Sequence, residues 1–284
     1  MTPPNFGGAD LHHHSCLSDG VETPEQLVAR AQAAGLSVAA LSDHDNLEGF
    51  LRFQAAAESA GILSFRATEL STDFEGEDVH VLAYFWTVPS GDFESRLEGF
   101  REIRLRRGEL MVQRLAEAGY PLDQDLVTAS PAGGAFGRPH VARALVAAGH
   151  AVSFEDAFER FLGKGKIGYV PKAKWPMADA IRAVRSAGGV TSLAHPVWYK
   201  DPMTVLEAAQ AAGLDAVEAF HPDQEPEDEG RFRAAAWEAS LLVTAGSDFH
   251  DAAEGHVIGS RRLGEEDWLR LENLLGSRAK ESSS

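Results

Sequence analysis

A single cysteine, Cys16, stands in 284 residues. It can close no intramolecular disulfide and no thiolate metal centre, which excludes a disulfide-stapled scaffold and a structural Cys-zinc site. A reducing compartment, the cytoplasm, is the expected location. No apolar run approaches the ~20 residues of a membrane span, and Met1-Thr2-Pro3-Pro4-Asn5 has neither a basic n-region nor an apolar h-region. Basic residues are scarce: 26 Lys and Arg against 43 Asp and Glu leave a net charge of −17, which argues against a uniformly polyanion-binding surface. The shortage is uneven. Residues 96–174 hold 13 Lys/Arg and 9 Asp/Glu, and the remainder holds 13 and 34. A basic segment is thus set into an acidic body whose charge bound cations would partly neutralise. The competing explanation is that the arginines of 96–114 form the solvated face of a long helix. Also missing is the G-x-x-x-x-G-K-[ST] phosphate loop; Gly163-Lys164-Gly165-Lys166 does not have its spacing.

What is present is histidine and carboxylate in short clusters. Asp10-Leu11-His12-His13-His14-Ser15 places His12 and His14 at i and i+2, on one side of an extended strand, with Asp19 a few residues on. His13 alternates to the opposite side and is excluded as a ligand. The pattern recurs in Ser42-Asp43-His44-Asp45, Glu69, His80, Ala194-His195-Pro196 and Gly246-Ser247-Asp248-Phe249-His250. A donor set of imidazole and carboxylate alone suits Mn²⁺, Fe²⁺ or Zn²⁺. Asp43 and Asp45 are expected to orient neighbouring groups.

The coarse grammar is strand then helix. Ala9–His12, Leu36–Ser42, Ile62–Thr68 (leading into Glu69) and Val79–Phe85 read as strands, as do Val190–Ala194, Leu214–Phe220 and Leu241–Ala245. Thr23-Pro24-Glu25-Gln26 forms a capping box with Pro at N1. Helices are expected up to Gly35 and over 47–60, 176–187, 201–213 and 229–240. Such alternation implies a parallel sheet closed or nearly closed into a barrel, with the ligands at strand C-terminal ends. His80, at a strand start, is the exception, expected to arrive on an antiparallel or irregular segment. The expected division is a barrel in two parts, 1–95 and 168–284, with a helical insertion, 96–167, over its mouth. The tail 281–284 is expected to be disordered.

Asp-Leu-His-x-His-Ser, Asp-His-Asp, Ala-His-Pro and Gly-Ser-Asp-x-His together resemble the PHP (polymerase and histidinol phosphatase) family, from about Ala9 to Gly259. The resemblance implies a distorted (β/α)₇ barrel holding three divalent metals, with Mn²⁺ the choice among Mn²⁺, Fe²⁺ and Zn²⁺. One metal would take His12, His14, Glu69 and Asp248; a second Glu69, His80 and His195; a third Asp19, His44 and His250. The catalytic set would be His12, His14, Glu69, His195 and Asp248, acting through a metal-bridging hydroxide that attacks phosphorus.

Gly137-Arg138-Pro139-His140 opens a helical stretch in the insertion. Arg suits bidentate phosphate grip, and the competing role for the pair is a surface Arg and a capping His. The stretches Gly137–Leu145 and Phe158–Lys172 resemble the PHP subgroup of nucleoside 3′,5′-bisphosphate phosphatases and 5′-to-3′ exoribonucleases, in which Arg138 and His140 would hold a second phosphate. Lys164, Lys166, Lys172 and Lys174 are either an electrostatic rim for a phosphate backbone or ordinary exposed lysines. Trp198 and Tyr199 are candidates to stack on a base, with core packing the alternative. His221 is a candidate proton donor to the leaving group, and His150 and His256 are expected to be structural. The expected activity is phosphoesterase action on a phosphorylated small molecule or short RNA, without membrane or protein partner. A histidinol phosphate-type phosphatase, a polymerase-associated proofreading module and a non-catalytic metal-binding module are the alternatives. The chain length disfavours the second, and the complete ligand set disfavours the third.

Overall fold

Thr23 Oγ1 accepts from the Gln26 N–H at 3.4 Å and Gln26 Oε1 from the Thr23 N–H at 2.8 Å, which starts the helix Pro24–Ala33 as its spacing implies. Gly61 and Gly213, both left-handed, end the helices Phe50–Ala60 and Pro202–Ala212. The computed structural model describes residues 6–123, 137–171 and 174–282. Strands β1 (Ala9–Asp10) and β2 (Val38–Ala39) form a parallel pair. Strands β3 (Arg66–Phe74), β4 (Glu77–Phe85), β5 (Trp175–Pro176), β6 (Val190–Leu193), β7 (Ala216–Phe220) and β8 (Leu242–Ala245) form a second sheet in the order β5-β3-β4-β6-β7-β8.

The sheet departs from a closed all-parallel barrel in two respects, the first of them at His80, where an antiparallel or irregular segment is expected. First, β4 runs antiparallel to both β3 and β6. Glu75 and Gly76, at φ 51° and 84°, make the two-residue turn with two positive φ values that a type I′ hairpin requires. Glu69 therefore sits inside a nine-residue strand and not at its end. The register sets Glu69 opposite Leu82 and Ser71 opposite His80, so Glu69 and His80 are diagonal neighbours on one face. Second, no continuous ladder closes the described strands. Single bridges, His13–Phe249, Val38–Leu63 and His44–Glu69, connect the segments around β1 and β2 to their neighbours. Past Asp10 backbone bonds (the His14 N–H to Phe249 O and the Ser42 N–H to His13 O, each 2.9 Å) are interleaved with side-chain ones: the His13 N–H donates to Ser42 Oγ at 3.0 Å and the Ser15 N–H to Asp43 Oδ1 at 2.7 Å.

Both sheets nonetheless share one interior. Leu11, Val38, Leu82, Tyr84, Val190 and Ala245 meet there, plugged by Trp268, Leu271 and Leu275 of the helix Glu265–Glu281. That helix reaches into the expected tail: Glu281 is its last residue and Ser282 Oγ donates to Ala279 O. Ser283 and Ser284 lie outside the described residues.

The long helix Phe93–Glu117 packs its base, Phe93 and Leu97, on Phe85, Trp175 and Val184 of the main body. Its far end carries Met111 and Leu115 into a separate cluster with Val141, Leu145, Phe161 and Leu162. Two of its arginines reach across to the following segment: buried Arg107 Nε donates to Val170 O at 2.8 Å, and exposed Arg114 to Tyr169 O at 2.6 Å. Among the described residues no helix is long and apolar enough to cross a membrane.

Candidate metal centre and phosphate cleft

The side-by-side His12 and His14 meet Glu69 of β3 and Asp248 of the loop after β8. His12 Nε2 lies 3.1 Å from His14 Nε2, 3.3 Å from Glu69 Oε2 and 3.2 Å from Asp248 Oδ1. His14 Nε2 lies 3.2 Å from each of the same two oxygens. Such separations are those of donors arranged about one point ~2.0 Å from each, a metal–nitrogen or metal–oxygen bond length. Asp248 Oδ1 is buried there without a hydrogen-bond partner. The residues fit a divalent cation.

Glu69 faces two ways. Its Oε2 serves the group above and lies 3.1 Å from His44 Nδ1, while its Oε1 lies 2.8 Å from His80 Nδ1 and 2.9 Å from His195 Nε2. Asp19 gathers a third group: 3.3 Å to His250 Nε2, 3.5 Å to His44 Nε2 and 3.7 Å to His14 Nδ1. All nine sequence-predicted ligands therefore lie in one constellation. His44 and His14 each touch two groups, a sharing the sequence did not indicate.

The supporting layer contains a residue whose role sequence reasoning missed. Glu218, fully buried in β7, accepts from His12 Nδ1 at 3.0 Å and from the His195 N–H at 2.7 Å. The first bond puts the His12 proton on Nδ1 and turns Nε2 toward Glu69 and Asp248. The second holds His195 in the left-handed region, φ 28°, a conformation that surrounding contacts must enforce. A Cβ on Gly246 would meet His12 Cβ at 2.1 Å and Glu218 Oε1 at 2.7 Å, so only glycine lets these strands approach. His13 points away, with Nδ1 donating to Ala40 O at 2.9 Å and Nε2 lying 3.2 Å from Asp10. Asp43 accepts from Ser15 and Ser18, and Asp45 from the Ser71 N–H. His221 has both nitrogens engaged: Nδ1 accepts from the Asp223 N–H and Nε2 sits 3.4 Å from Asp248 Oδ2. It lies against a candidate ligand.

A cleft of about 180 Å³ opens beside this cluster. Asp19, His44, Asp78 and His80 line it together with Arg107, Arg138 and Phe158. Arg138 sits over the Phe158 ring at 5.7 Å. Arg107 was not singled out from the sequence, where it is one of several arginines on a helix. His140 Nδ1 accepts from the Gly137 N–H at 3.2 Å, the capping role named as its alternative. Lys164 and Lys166 are exposed on the turn after Phe158–Leu162. Lys174 is spent on Asp78 (3.2 Å) and Asp73 (3.6 Å), and Lys172 lies outside the described residues.

The sequence signature of the PHP domain matches residues 10–163, the span that carries His12, His14, Asp19, His44, Glu69 and His80. The chain belongs to the PHP domain family. A 5′-3′ exoribonuclease of Haemophilus influenzae is 35% identical over 85% of this PHP chain and 89% of its own length. A 3′,5′-nucleoside bisphosphate phosphatase of Chromobacterium violaceum is 32% identical over 87% and 88%. Among solved structures, a candidate metal-dependent phosphoesterase of Bifidobacterium adolescentis superposes with a TM-score of 0.84 at 32% identity, covering 96% of this chain and 98% of that one.

Burial and the facing carboxylates pull the imidazoles of the PHP site in opposite directions. Burial opposes a charged His12, yet Asp248, Glu218 and Glu69 raise its pKa well above the ordinary histidine value. Burial likewise opposes charge on His250, and Asp19 and Asp248 lift it to about 10. Glu69, Asp19 and Asp248 are all held well below their usual range despite burial, by the surrounding imidazoles. A cation needs neutral imidazole. Loading the metal-free protein with Mn²⁺ at pH 8 is therefore expected to release protons, that of His250 among them, with apparent affinity climbing as pH rises toward about 10. Titration calorimetry in Hepes and in Tris, which differ in ionisation heat, reads that release; identical heats would refute it. The sign for the metal-free fold is opposite. The His250 pairing stabilises fully below the unfolded histidine value of about 6.5, and that contribution is lost as pH climbs through about 10.

Proposed function

We propose that this PHP-family phosphoesterase removes the 3′-phosphate from nucleoside 3′,5′-bisphosphates and, by the same bond cleavage, releases 5′-mononucleotides from the 5′ end of short RNA. The observation that carries the reading is the cleft in which Arg138 and Arg107 face Asp19, His44 and His80. An anion grip and a cation-binding cluster in one cavity suit a substrate with two phosphates, one held and one cleaved. The names of the relatives in Haemophilus influenzae and Chromobacterium violaceum fit both halves of the proposal.

In this reading the nine ligands hold three divalent metals, Mn²⁺ by the family resemblance, on the residue sets given above. When bound, such metals supply Lewis acidity toward a phosphoryl oxygen and lower the pKa of water. The chain's own residues do the rest. Arg138, with His140 behind it, holds the 5′-phosphate. Phe158 lies beneath the Arg138 guanidinium and limits its swing. Glu218 and His221 fix the facing edges of His12 and Asp248. Lys164 and Lys166 form an exposed cationic approach for a longer strand. The described residues of 96–167, Arg107 and Arg138 among them, contribute to the wall of the cleft, over a barrel of the (β/α)₇ type distorted by the β3–β4 hairpin.

The test is phosphate release from adenosine 3′,5′-bisphosphate, 5′-AMP and histidinol phosphate, with Mn²⁺ added to metal-stripped enzyme. Release from the bisphosphate alone is expected. Arg138→Ala should raise KM for the bisphosphate about 10- to 100-fold, the worth of a charged hydrogen bond, and barely change turnover of p-nitrophenyl phosphate. Turnover of histidinol phosphate, indifferent to Arg138→Ala, would instead identify a small-molecule phosphatase without a second phosphate grip.

A further inference from the structure

Trp198 and Tyr199, neighbours after the Ala194-His195-Pro196 motif, have separate fates. Tyr199 is 6% exposed and spent on structure: its hydroxyl accepts from the His80 N–H at 3.1 Å and donates to Ala194 O at 2.8 Å. Trp198 is 51% exposed. Its indole stacks on the His195 ring with centroids 4.1 Å apart and 30° between planes. Its edge meets His221 at 5.4 Å and 81°. The indole Nε1–H donates to Asp223 Oδ2 at 2.9 Å. Asp223 is fixed in turn, with Oδ1 3.2 Å from His256 Nε2 and its N–H on His221 Nδ1. One face, one edge and the N–H of this ring are therefore taken, and the exposure belongs to what remains. A ring so held has little rotamer freedom left to lose on binding, which is what a stacking platform requires. Packing alone does not call for a pinned indole half in water against a candidate metal ligand.

We propose that Trp198 is the stacking platform for the base of the nucleotide that follows the scissile phosphate in an RNA substrate. The proposal rests on the function given above. In that reaction water adds its oxygen to phosphorus and the bond from phosphorus to O3′ of the first nucleotide breaks. One proton of the water ends on O3′ and the other passes to solvent as the new phosphate ionises. The downstream strand keeps the phosphate on its 5′ oxygen. The first nucleotide is held through its 5′-phosphate in the Arg138 cleft, whose described lining contains neither His195 nor Trp198. The next nucleotide has its own phosphate at the reacting centre, so only its base and sugar are available for binding. Trp198, reached across His195, offers a face that any base can use. A nucleoside bisphosphate has no such second base and makes no use of it.

The discriminating quantity is the ratio of kcat/KM on a 5′-phosphorylated dinucleotide to kcat/KM on adenosine 3′,5′-bisphosphate. Trp198→Ala is expected to lower it about tenfold, as loss of one base–aromatic stack does, and Trp198→Phe should restore most of it. Trp198→Leu, which keeps apolar cover over His195 but offers no ring, should lower the ratio as Ala does. An unchanged ratio in Ala and Leu overturns the platform, including the case where both activities fall together because Trp198 only supports His195. Wild-type enzyme inert on the bisphosphate would fail the functional reading, a different result, and would take the platform with it.

Discussion

Glu69→Gln is expected to strip the enzyme of most of its bound metal and lower phosphate release on the order of 10³-fold. One carboxylate faces five imidazoles: His12, His14 and His44 through Oε2, His80 and His195 through Oε1. The amide keeps the shape and loses the charge, and it turns an NH₂ group toward at least two ring nitrogens. Removing one partner from a buried charged set costs about 3–5 kcal/mol. The fold should survive, because the Glu69 backbone stays bonded to Ser42 O and to the Asp45 N–H. Elemental analysis of the purified variant, beside its phosphate release with added Mn²⁺, is the check. Full metal content and full turnover would mean that the cluster around Glu69 is not the reaction centre.

Glu218→Gln is expected to weaken metal binding about 10- to 100-fold, the usual effect of removing the group that orients a ligating histidine. Glutamate accepts with both oxygens, from His12 Nδ1–H and from the His195 N–H. Glutamine can accept with one. Its NH₂ group either meets the His195 N–H, donor against donor, or forces His12 into the tautomer that aims a proton at Glu69 and Asp248. Competition against a chelator measures the affinity, and turnover should recover at saturating Mn²⁺. A variant that binds metal normally, or one that saturating metal does not rescue, would show that Glu218 acts on general stability and not on ligand orientation.

The legibility of the site in the sequence followed the range of the interactions. His12, His14, His44, His195, Asp248 and His250 stand in short motifs whose spacing already restricts their geometry. Glu69 and His80 are isolated letters, brought together by a hairpin whose turn, Glu75-Gly76, was the available signal for antiparallel pairing. Glu218 was also visible in principle. A carboxylate inside Ala216-Val217-Glu218-Ala219-Phe220 is a charge in an apolar strand, and such a charge needs a partner. The partner was not legible, since His12 is 206 residues away. Arg107 shows the opposite difficulty. Among the arginines of Phe93–Glu117 nothing local marks the one that turns inward. The interrupted ladder was illegible for the same reason: beyond Asp10 bonds to the side chains of Ser42 and Asp43 are interleaved with backbone ones, and alternation of hydrophobic residues is blind to that.

The threads that sew the site together cross more than 200 residues of sequence. Asp10 accepts from the Ser247 N–H at 2.9 Å and from the Gly259 N–H at 2.7 Å, across 237 and 249 residues. During synthesis the His12–His14 segment emerges more than 200 residues before Asp248 and His250. The helix Pro24–Ala33 can form at once from local contacts. Pairings of such sequence separation form late and slowly. Until Asp248 and His250 have emerged, the nascent chain presents a histidine-rich segment with an incomplete donor set, and tight metal capture is deferred to that point.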